Sequence, residues 1–170
     1  MRVVLLGDSH LAHVRRKLDL IGSDVLNAAV GGASVRALSA QATGAQVSSG
    51  DVVVVSIGTN DAAPSKQLPL PDFSTILGEW VGSLDVGRWV FVTPPGVDEA
   101  RLQGAADRTN KVIGAYRDAA VGIFEAVGAH VVHADQVLER LGPGGFADDG
   151  LHLTGRAYDL LLPAVAVAAA

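Results

Sequence analysis

The sequence has no cysteine among its 170 residues. Disulfide bonds, thiolate zinc sites and cysteine nucleophiles are therefore excluded. Basic residues are also few, since 13 Lys and Arg stand against 18 Asp and Glu and give a net charge of −5. The one short basic cluster, Arg15, Arg16 and Lys17, is predicted to lie on the solvated face of a helix. A nucleic-acid-binding surface needs a basic face, so we expect no nucleic-acid partner.

Long apolar segments are missing as well. The first apolar run, Val3–Leu6, is followed closely by Asp8 and is too short for a signal peptide. The longest late run, from Leu160 to Ala170, falls short of the roughly 20 residues that a membrane span needs. We therefore expect a cytoplasmic protein without a signal peptide or membrane span. The length predicts one domain, residues 1–170.

Short apolar runs alternate with segments of helical spacing along the chain. The strands are predicted at Val3–Leu6, Asp24–Ala28, Asp51–Ile57, Arg88–Val92 and Ala129–His133. The helices are predicted at Leu11–Ile21, Ser34–Ala45, Phe73–Leu84, Leu102–Ile123, Asp135–Leu141 and from Thr154 onward. The helix from Leu102 includes Ala105 and Ala106 in its apolar stripe. Asp72 is expected to cap the third helix, and Pro163 to bend the last.

This alternation predicts the α/β class, with a five-stranded parallel sheet covered by helices on both faces. The strongest strand signal is the run of four valines from Val52 to Val55, whose β-branched side chains on both faces indicate a fully buried strand. Such sheets carry their active sites at the carboxyl ends of the strands. The loops that follow the strands are therefore the places to look for chemistry.

The loop after the first strand reads Gly7-Asp8-Ser9-His10. Glycine permits a sharp turn out of the strand, which places Ser9 at the start of the next helix. Backbone N–H groups and the positive end of a helix converge there and favour developing negative charge. Taken alone, the triplet is equally typical of an ordinary turn in which Ser9 or Asp8 caps a helix.

Two further loops offer hydrogen-bond donors at the same edge of the sheet. The segment from Asn27 to Ser34 contains Gly31 and Gly32, a pair that lets backbone N–H groups approach a ligand. The segment Gly58-Thr59-Asn60-Asp61 follows the valine strand and supplies a side-chain amide at Asn60. Asp61 is a candidate cap for the residues that follow it. Each segment by itself is also typical of a simple turn.

An acid and a histidine precede the last helix, in Asp149-Gly150-Leu151-His152. An aspartate three residues before a histidine can fold back onto Nδ1–H within one turn, leaving Nε2 free to accept a proton. Catalysis by a serine nucleophile needs that orientation, because the carboxylate fixes the tautomer and stabilises the imidazolium. The four loops together supply a nucleophile, a base, an orienting acid and oxyanion donors, which are the groups that acyl transfer requires.

These four segments resemble, in order, the motif blocks of the SGNH hydrolases, also called GDSL-like lipases and esterases. The resemblance covers nearly the whole chain. It implies a flavodoxin-like three-layer α/β/α sandwich, hydrolysis of esters or thioesters, and no metal or organic cofactor. It also implies that the oxyanion is held by the Ser9 N–H, the Gly32 N–H and the Asn60 side chain.

The chain departs from the family pattern at three points. His10 follows the serine where an apolar residue is common, and it either lines the cleft or lies on the surface. Leu153 and Thr154 follow the histidine where Pro-Asn is frequent. Gly31 is an alternative to Gly32 as the oxyanion donor. We count Asp8, His10, Gly31 and Asp61 as supporting or substrate-lining residues.

The predicted function is hydrolysis of carboxylic esters with short acyl groups, such as acetyl, since 170 residues leave no room for a large lid. An acyltransferase, a thioesterase or a lysophospholipase with the same triad is an alternative. A further alternative is a non-catalytic flavodoxin-like binding module. The partner is a small-molecule ester, and the sequence leaves the oligomeric state open.

A metal site at His130, His133 and Asp135 is not expected. Residues three apart on a strand point to opposite faces of the sheet, so His130 and His133 are poorly placed to chelate one ion.

Overall fold

The computed structural model describes residues 1–102 and 108–170. Within these ranges the chain forms one five-stranded parallel sheet in the order β2-β1-β3-β4-β5. The strands are β1 (Val3–Gly7), β2 (Val25–Asn27), β3 (Val52–Ser56), β4 (Arg88–Val92) and β5 (His130–Val132). Every residue of β1 and β3 is buried, as the apolar runs of the sequence predict for the centre of a parallel sheet. The five-stranded parallel sheet of the prediction is confirmed.

Helices cover the sheet. They are α1 (Ser9–Ala12), α2 (Leu38–Gly44), α3 (Leu70–Ser83), α4 (Asn110–Ala126), α5 (Ala134–Leu138) and α6 (Gly155–Ala169). Short 3₁₀ turns span His13–Arg16, Leu18–Leu20, Val35–Ala37 and Glu139–Gly145.

The alternation of side chains along β1 separates the core into two layers. Leu5 points into a cluster that includes Leu162 of α6, whereas Leu6 on the other face packs in a cluster with Phe73 of α3 and Phe124 of α4. Each cluster removes a broad apolar surface from water, which is the main favourable term in folding. The result is the three-layer α/β/α sandwich.

The predicted helix Leu11–Ile21 is wrong in extent. The helix begins at Ser9, gives way to a 3₁₀ turn after Ala12, and the backbone leaves helical geometry at Lys17. At this point the Lys17 ammonium binds the Gly155 carbonyl and the Asp159 carboxylate of α6. Buried Leu11 and Val14 lie three residues apart, and this spacing suits a 3₁₀ turn as well as an α-helix.

Two predicted helix starts also differ. The third helix begins at Leu70 after Pro69, so Asp72 lies in its first turn and is not its cap. Proline is tolerated in the first turn of a helix because a backbone N–H at that position has no acceptor within the helix. Thr109 caps α4 through the Val112 N–H, so Leu102 lies outside that helix; Ala105 and Ala106 lie outside the described residues. At the other end of the chain Thr154 caps α6, which continues through Pro163.

The strand order places a topological switch between β1 and β3. In doubly wound sheets, ligands bind in the crevice outside the carboxyl ends of the strands at this point. Gly7 has φ +126°, and a Cβ there would lie 1.9 Å from the Ser56 carbonyl oxygen. Only glycine therefore allows β1 to turn into the loop that carries Ser9 while remaining paired with β3.

Candidate active site

Ser9 is the first residue of α1, and Asp8 caps that helix. The Asp8 carboxylate accepts a hydrogen bond from the His10 N–H at 3.0 Å. The Ser9 N–H belongs to the first turn, whose N–H groups have no acceptor within the helix. Ser9 thus lies at the carboxyl edge of the sheet, where it is buried with 6% exposure.

The turn at Gly31 and Gly32 lies beside Ser9. A Cβ at Gly31 would be 4.0 Å from the Ser9 Cβ, and Gly32 has φ +77°, which favours glycine. Within the described residues, the backbone hydrogen bond of this turn runs from the Ala33 N–H to the Val30 carbonyl at 3.2 Å. The Gly31 and Gly32 N–H groups make no hydrogen bond to any described residue, so both remain candidates for an oxyanion.

The side chain of Asn60 is held on two sides. Its Nδ2 donates to the Ala33 carbonyl at 3.0 Å, next to Gly32, and Arg108 donates to its Oδ1 at 3.4 Å. Arg108 also donates to the Thr59 carbonyl at 3.2 Å. An amide nitrogen carries two hydrogens, so one N–H of Asn60 remains for a ligand.

Asp149 and His152 are joined as their spacing predicts. Asp149 Oδ2 lies 2.5 Å from His152 Nδ1, and Oδ1 accepts from the N–H groups of Leu151 and His152 at 2.9 Å. Burial alone would raise the pKa of Asp149, but the hydrogen bonds from His152 and Leu151 outweigh it and lower that pKa to about 2. The carboxylate is therefore ionised at neutral pH and can hold an imidazolium.

The structure links the Ser9 helix to the Asp149–His152 loop through two other histidines. His10 Nε2 lies 3.3 Å from the Leu151 carbonyl, and the His13 ring lies 4.8 Å from the His152 ring, centroid to centroid. Among the described residues, Ser9 and His152 share no direct hydrogen bond. Catalytic hydrogen bonds are often long without substrate and tighten in the complex, so the pairing of Ser9 with His152 stays a prediction.

His10 is only 2% exposed, so the surface position considered for it is wrong. Its Nδ1 lies 3.2 Å from Asp8 Oδ1, and the Tyr158 hydroxyl donates to its carbonyl at 2.9 Å. Burial alone would lower the pKa of His10, but the charge and hydrogen bond of Asp8 raise it. His10 thus ties α1 to the Leu151 backbone and to α6.

Asp61 binds the glycine loop and not the residues that follow it. Its Oδ1 accepts from the Val35 N–H at 2.9 Å, while Oδ2 has no hydrogen-bond partner among the described residues. Burial and, more weakly, the charge of Asp8 raise the pKa of Asp61 to about 6. Asp61 therefore fixes the Gly31–Val35 segment against the loop that carries Asn60.

The sequence analysis missed His13 and Arg108 as parts of this site. His13 lies one helical turn after Ser9, a spacing that could have drawn attention to it. Burial and the neighbouring His152 and His10 lower the pKa of His13. No motif or spacing marks Arg108, whose position against Asn60 depends on long-range packing.

Across residues 1–102 and 108–170, no group of three or more His, Asp or Glu side chains is placed to hold a metal ion. No helix in these ranges has the length and apolar character to cross a membrane.

Solved structures with this fold include several hydrolases. A lipase/acylhydrolase from Enterococcus faecalis is 21% identical with a TM-score of 0.74, covering 98% of this chain and 94% of its own. An α/β hydrolase, LAE5, from the metagenome of Lake Arreo is 19% identical with a TM-score of 0.74, covering 99% and 94%. The acetylxylan esterase Axe2 from Geobacillus stearothermophilus is 21% identical with a TM-score of 0.75, covering 96% and 91%. At these identities the likeness establishes the fold.

Comparison with curated proteins finds no matching sequence. The family model of the GDSL-like Lipase/Acylhydrolase family matches residues 7–160. This range includes all four motif segments, from Gly7-Asp8-Ser9 to Asp149-Gly150-Leu151-His152, and most of the chain. The chain therefore belongs to the GDSL-like Lipase/Acylhydrolase family of hydrolases.

Proposed function

We propose that the chain hydrolyses carboxylic esters through an acyl-enzyme, with Ser9 as nucleophile, His152 as base and Asp149 as the group that orients His152. The observation that carries this proposal is the hydrogen bond between Asp149 Oδ2 and His152 Nδ1, which are 2.5 Å apart. This pairing leaves Nε2 available, and the His152 side chain is 33% exposed, so substrate can reach it. The ring contacts His13, one helical turn from Ser9.

In the first step Ser9 Oγ attacks the acyl carbonyl while His152 Nε2 takes the hydroxyl proton. The imidazolium is stabilised by Asp149 and then gives its proton to the leaving alcohol. In the second step His152 takes a proton from water, and the resulting hydroxide attacks the acyl-enzyme. The acid leaves, and Ser9 regains its proton from His152.

The negative charge on the tetrahedral intermediate needs donors that are in place before the reaction. The Ser9 N–H, the Gly32 or Gly31 N–H and the second Asn60 N–H are the candidates. Asp61 supports them by holding Val35, and Arg108 supports them by holding Asn60.

We expect the acyl group to be short, such as acetyl, because the chain has little room for a lid over the site. Axe2, which shares the fold, is an acetylxylan esterase, and this agrees with acetyl esters of a larger alcohol. Hydrolysis and transfer to another alcohol use the same triad.

A second candidate is a thioesterase or lysophospholipase that takes longer acyl chains. The observation that favours it is an apolar groove of about 620 Å³ that the glycine turn lines. Small side chains, including Ala33, Ala37 and Ala40, line this groove together with Gly31 and Gly32. A chain-length series from acetyl to octanoyl esters separates the two candidates, because a longer acyl group gains affinity only where it buries apolar surface.

The proposed mechanism is tested by labelling with a fluorophosphonate and by acetate release from aryl acetates. Wild type is expected to be labelled at Ser9 and to release acetate, whereas Ser9→Ala should do neither. Ser48→Ala, a serine outside the candidate site, is the matched control. Labelling of Ser9→Ala at the wild-type level would contradict the proposal, and ester products formed with added methanol would reveal transfer.

A further inference from the structure

A groove of about 390 Å³ lies beside the candidate site. Its lining consists of Ala12, His13, Arg15, Arg16 and Gly31. A Cβ at Gly31 would lie 4.0 Å from the Ser9 Cβ, and His13 contacts His152. The groove therefore reaches both ends of the proposed reaction centre.

Two guanidinium groups in this groove have no bonding partner among the described residues. Arg15 and Arg16 are exposed, and neither side chain forms a hydrogen bond or ion pair with the described residues. The next residue, Lys17, is bound to Asp159 and to the Gly155 carbonyl. In this basic cluster, Lys17 is therefore held by α6, whereas Arg15 and Arg16 are available to bind a ligand.

The groove lining contains no acid that would compete for these cations. Asp149 is near enough to influence His13, but its carboxylate is hydrogen-bonded to His152 and to two backbone N–H groups. Lys66 at the Gly32 carbonyl and Arg108 at Asn60 add positive charge close to the same rim. The chain as a whole carries −5, so this positive region is a local feature.

We propose that the groove binds an anionic group, a carboxylate or a phosphate, on the alcohol part of the ester substrate. This rests on the proposed esterase function. The proposed acetyl group carries no charge, so in an acetyl ester the charge belongs to the alcohol. Guanidinium groups bind carboxylates and phosphates through paired hydrogen bonds, and Arg15 and Arg16 are the groups free to make them.

The test compares three aryl acetates of similar size: phenyl acetate, 3-acetoxybenzoate and 3-acetoxyphenyl phosphate. Wild type is expected to show a higher kcat/KM for one or both anionic esters than for phenyl acetate, with an advantage that shrinks as salt is added. Arg15→Met/Arg16→Met should lower kcat/KM for the preferred anionic ester about tenfold and change that for phenyl acetate less than about twofold. The two anionic esters distinguish carboxylate from phosphate.

The matched control is Arg88→Met/Arg140→Met, which removes the same charge from residues outside the groove lining. It should leave the ratio between anionic and neutral esters at the wild-type value. No preference for an anionic ester in wild type, or equal losses in both double variants, would overturn the inference while hydrolysis of phenyl acetate keeps the esterase proposal. Failure to hydrolyse any ester, with Ser9 unlabelled by the fluorophosphonate, would overturn both.

Discussion

The Asn60 amide lies where three segments of the chain meet. It donates to the Ala33 carbonyl of the glycine loop and accepts from Arg108, while its backbone belongs to the loop after β3. These contacts fix the direction of the second N–H of the Asn60 amide and leave that N–H available to a ligand. A donor fixed in this way suits charge that appears only in the transition state.

Replacement of Asn60 by alanine should therefore lower kcat for an acetyl ester by about 10²–10³-fold, with a smaller change in KM. Asn60→Asp should show a similar loss, because it replaces the donor by an acceptor while retaining an oxygen for Arg108. Steady-state kinetics with far-UV circular dichroism as a check on folding would measure both. An unchanged kcat in Asn60→Ala would remove Asn60 from the oxyanion site.

At the scale of single residues, the contact between Asp149 and His152 is the feature that the sequence predicted best. Asp149 and His152 are three positions apart, so their contact depends mainly on one turn of backbone and is readable from spacing. His10 is different, because its contact with Asp8 is local but nothing local decides that Leu151 and Tyr158 also enclose it. Its burial is a property of the packed molecule.

At the scale of elements, the turn from β1 into α1 positions Ser9. Backbone pairing of Gly7 with Ser56 brings the two strands so close that a Cβ at Gly7 would lie 1.9 Å from the Ser56 carbonyl oxygen. Gly78 is a useful contrast, since it lies inside α3 and a Cβ there would meet nothing within 4 Å. Replacement by alanine is therefore expected to have opposite effects on stability at Gly7 and at Gly78.

Gly7→Ala should lower the free energy of unfolding by about 3 kcal/mol or more, because the strands must separate or the turn must move. Gly78→Ala should raise it by about 0.5–1 kcal/mol, since alanine loses less backbone entropy in a helix. Urea unfolding of the two variants measures both changes. Gly7→Ala with wild-type stability would show that the turn can relax without loss of pairing.

Strands were predicted more accurately than helices. The apolar runs predicted all five strands to within one residue of their observed ends. The signal is continuous in β1 and β3, which are buried on both faces, and shorter in the partly exposed edge strands β2 and β5. The first helix was extended too far, because a 3₁₀ turn buries Leu11 and Val14 with the same spacing as an α-helix. Its observed end coincides with the contacts of Lys17 with α6, which no local pattern contains.

For the molecule as a whole, buried and paired acids have opposite effects on the pH dependence of stability. Asp51, hydrogen-bonded to Arg2, has its pKa lowered to about 2, and the pKa of Asp149 is likewise about 2. Their contribution is present above pH 4 and is lost as the pH falls toward 2. Asp61 has its pKa raised to about 6 by burial, so the folded protein retains its proton to higher pH than the unfolded chain.

The contribution of the Asp61 carboxyl to the free energy of unfolding should therefore fall by up to about 3 kcal/mol as the pH rises from 4 to 7. This figure follows from about 1.4 kcal/mol per pKa unit. Asp61→Asn keeps an oxygen for the Val35 N–H and should remove this loss. Glu79→Gln, which removes an exposed carboxylate on α3, is the control. Urea unfolding at pH 4, 5, 6 and 7 measures the effect. A constant difference between Asp61→Asn and wild type across this range would contradict it.

The sequence by itself determined the strands, the four loop motifs and the local Asp149–His152 pair, because these depend on burial patterns and on contacts within a few residues. Only the tertiary structure decided that His13 lies against His152, that Arg108 holds Asn60, and that Arg15 and Arg16 remain unpaired among the described residues while Lys17 does not. The physical reason is that these contacts join segments far apart in the chain. Their distances are set by strand order and helix packing, which no short stretch of sequence encodes.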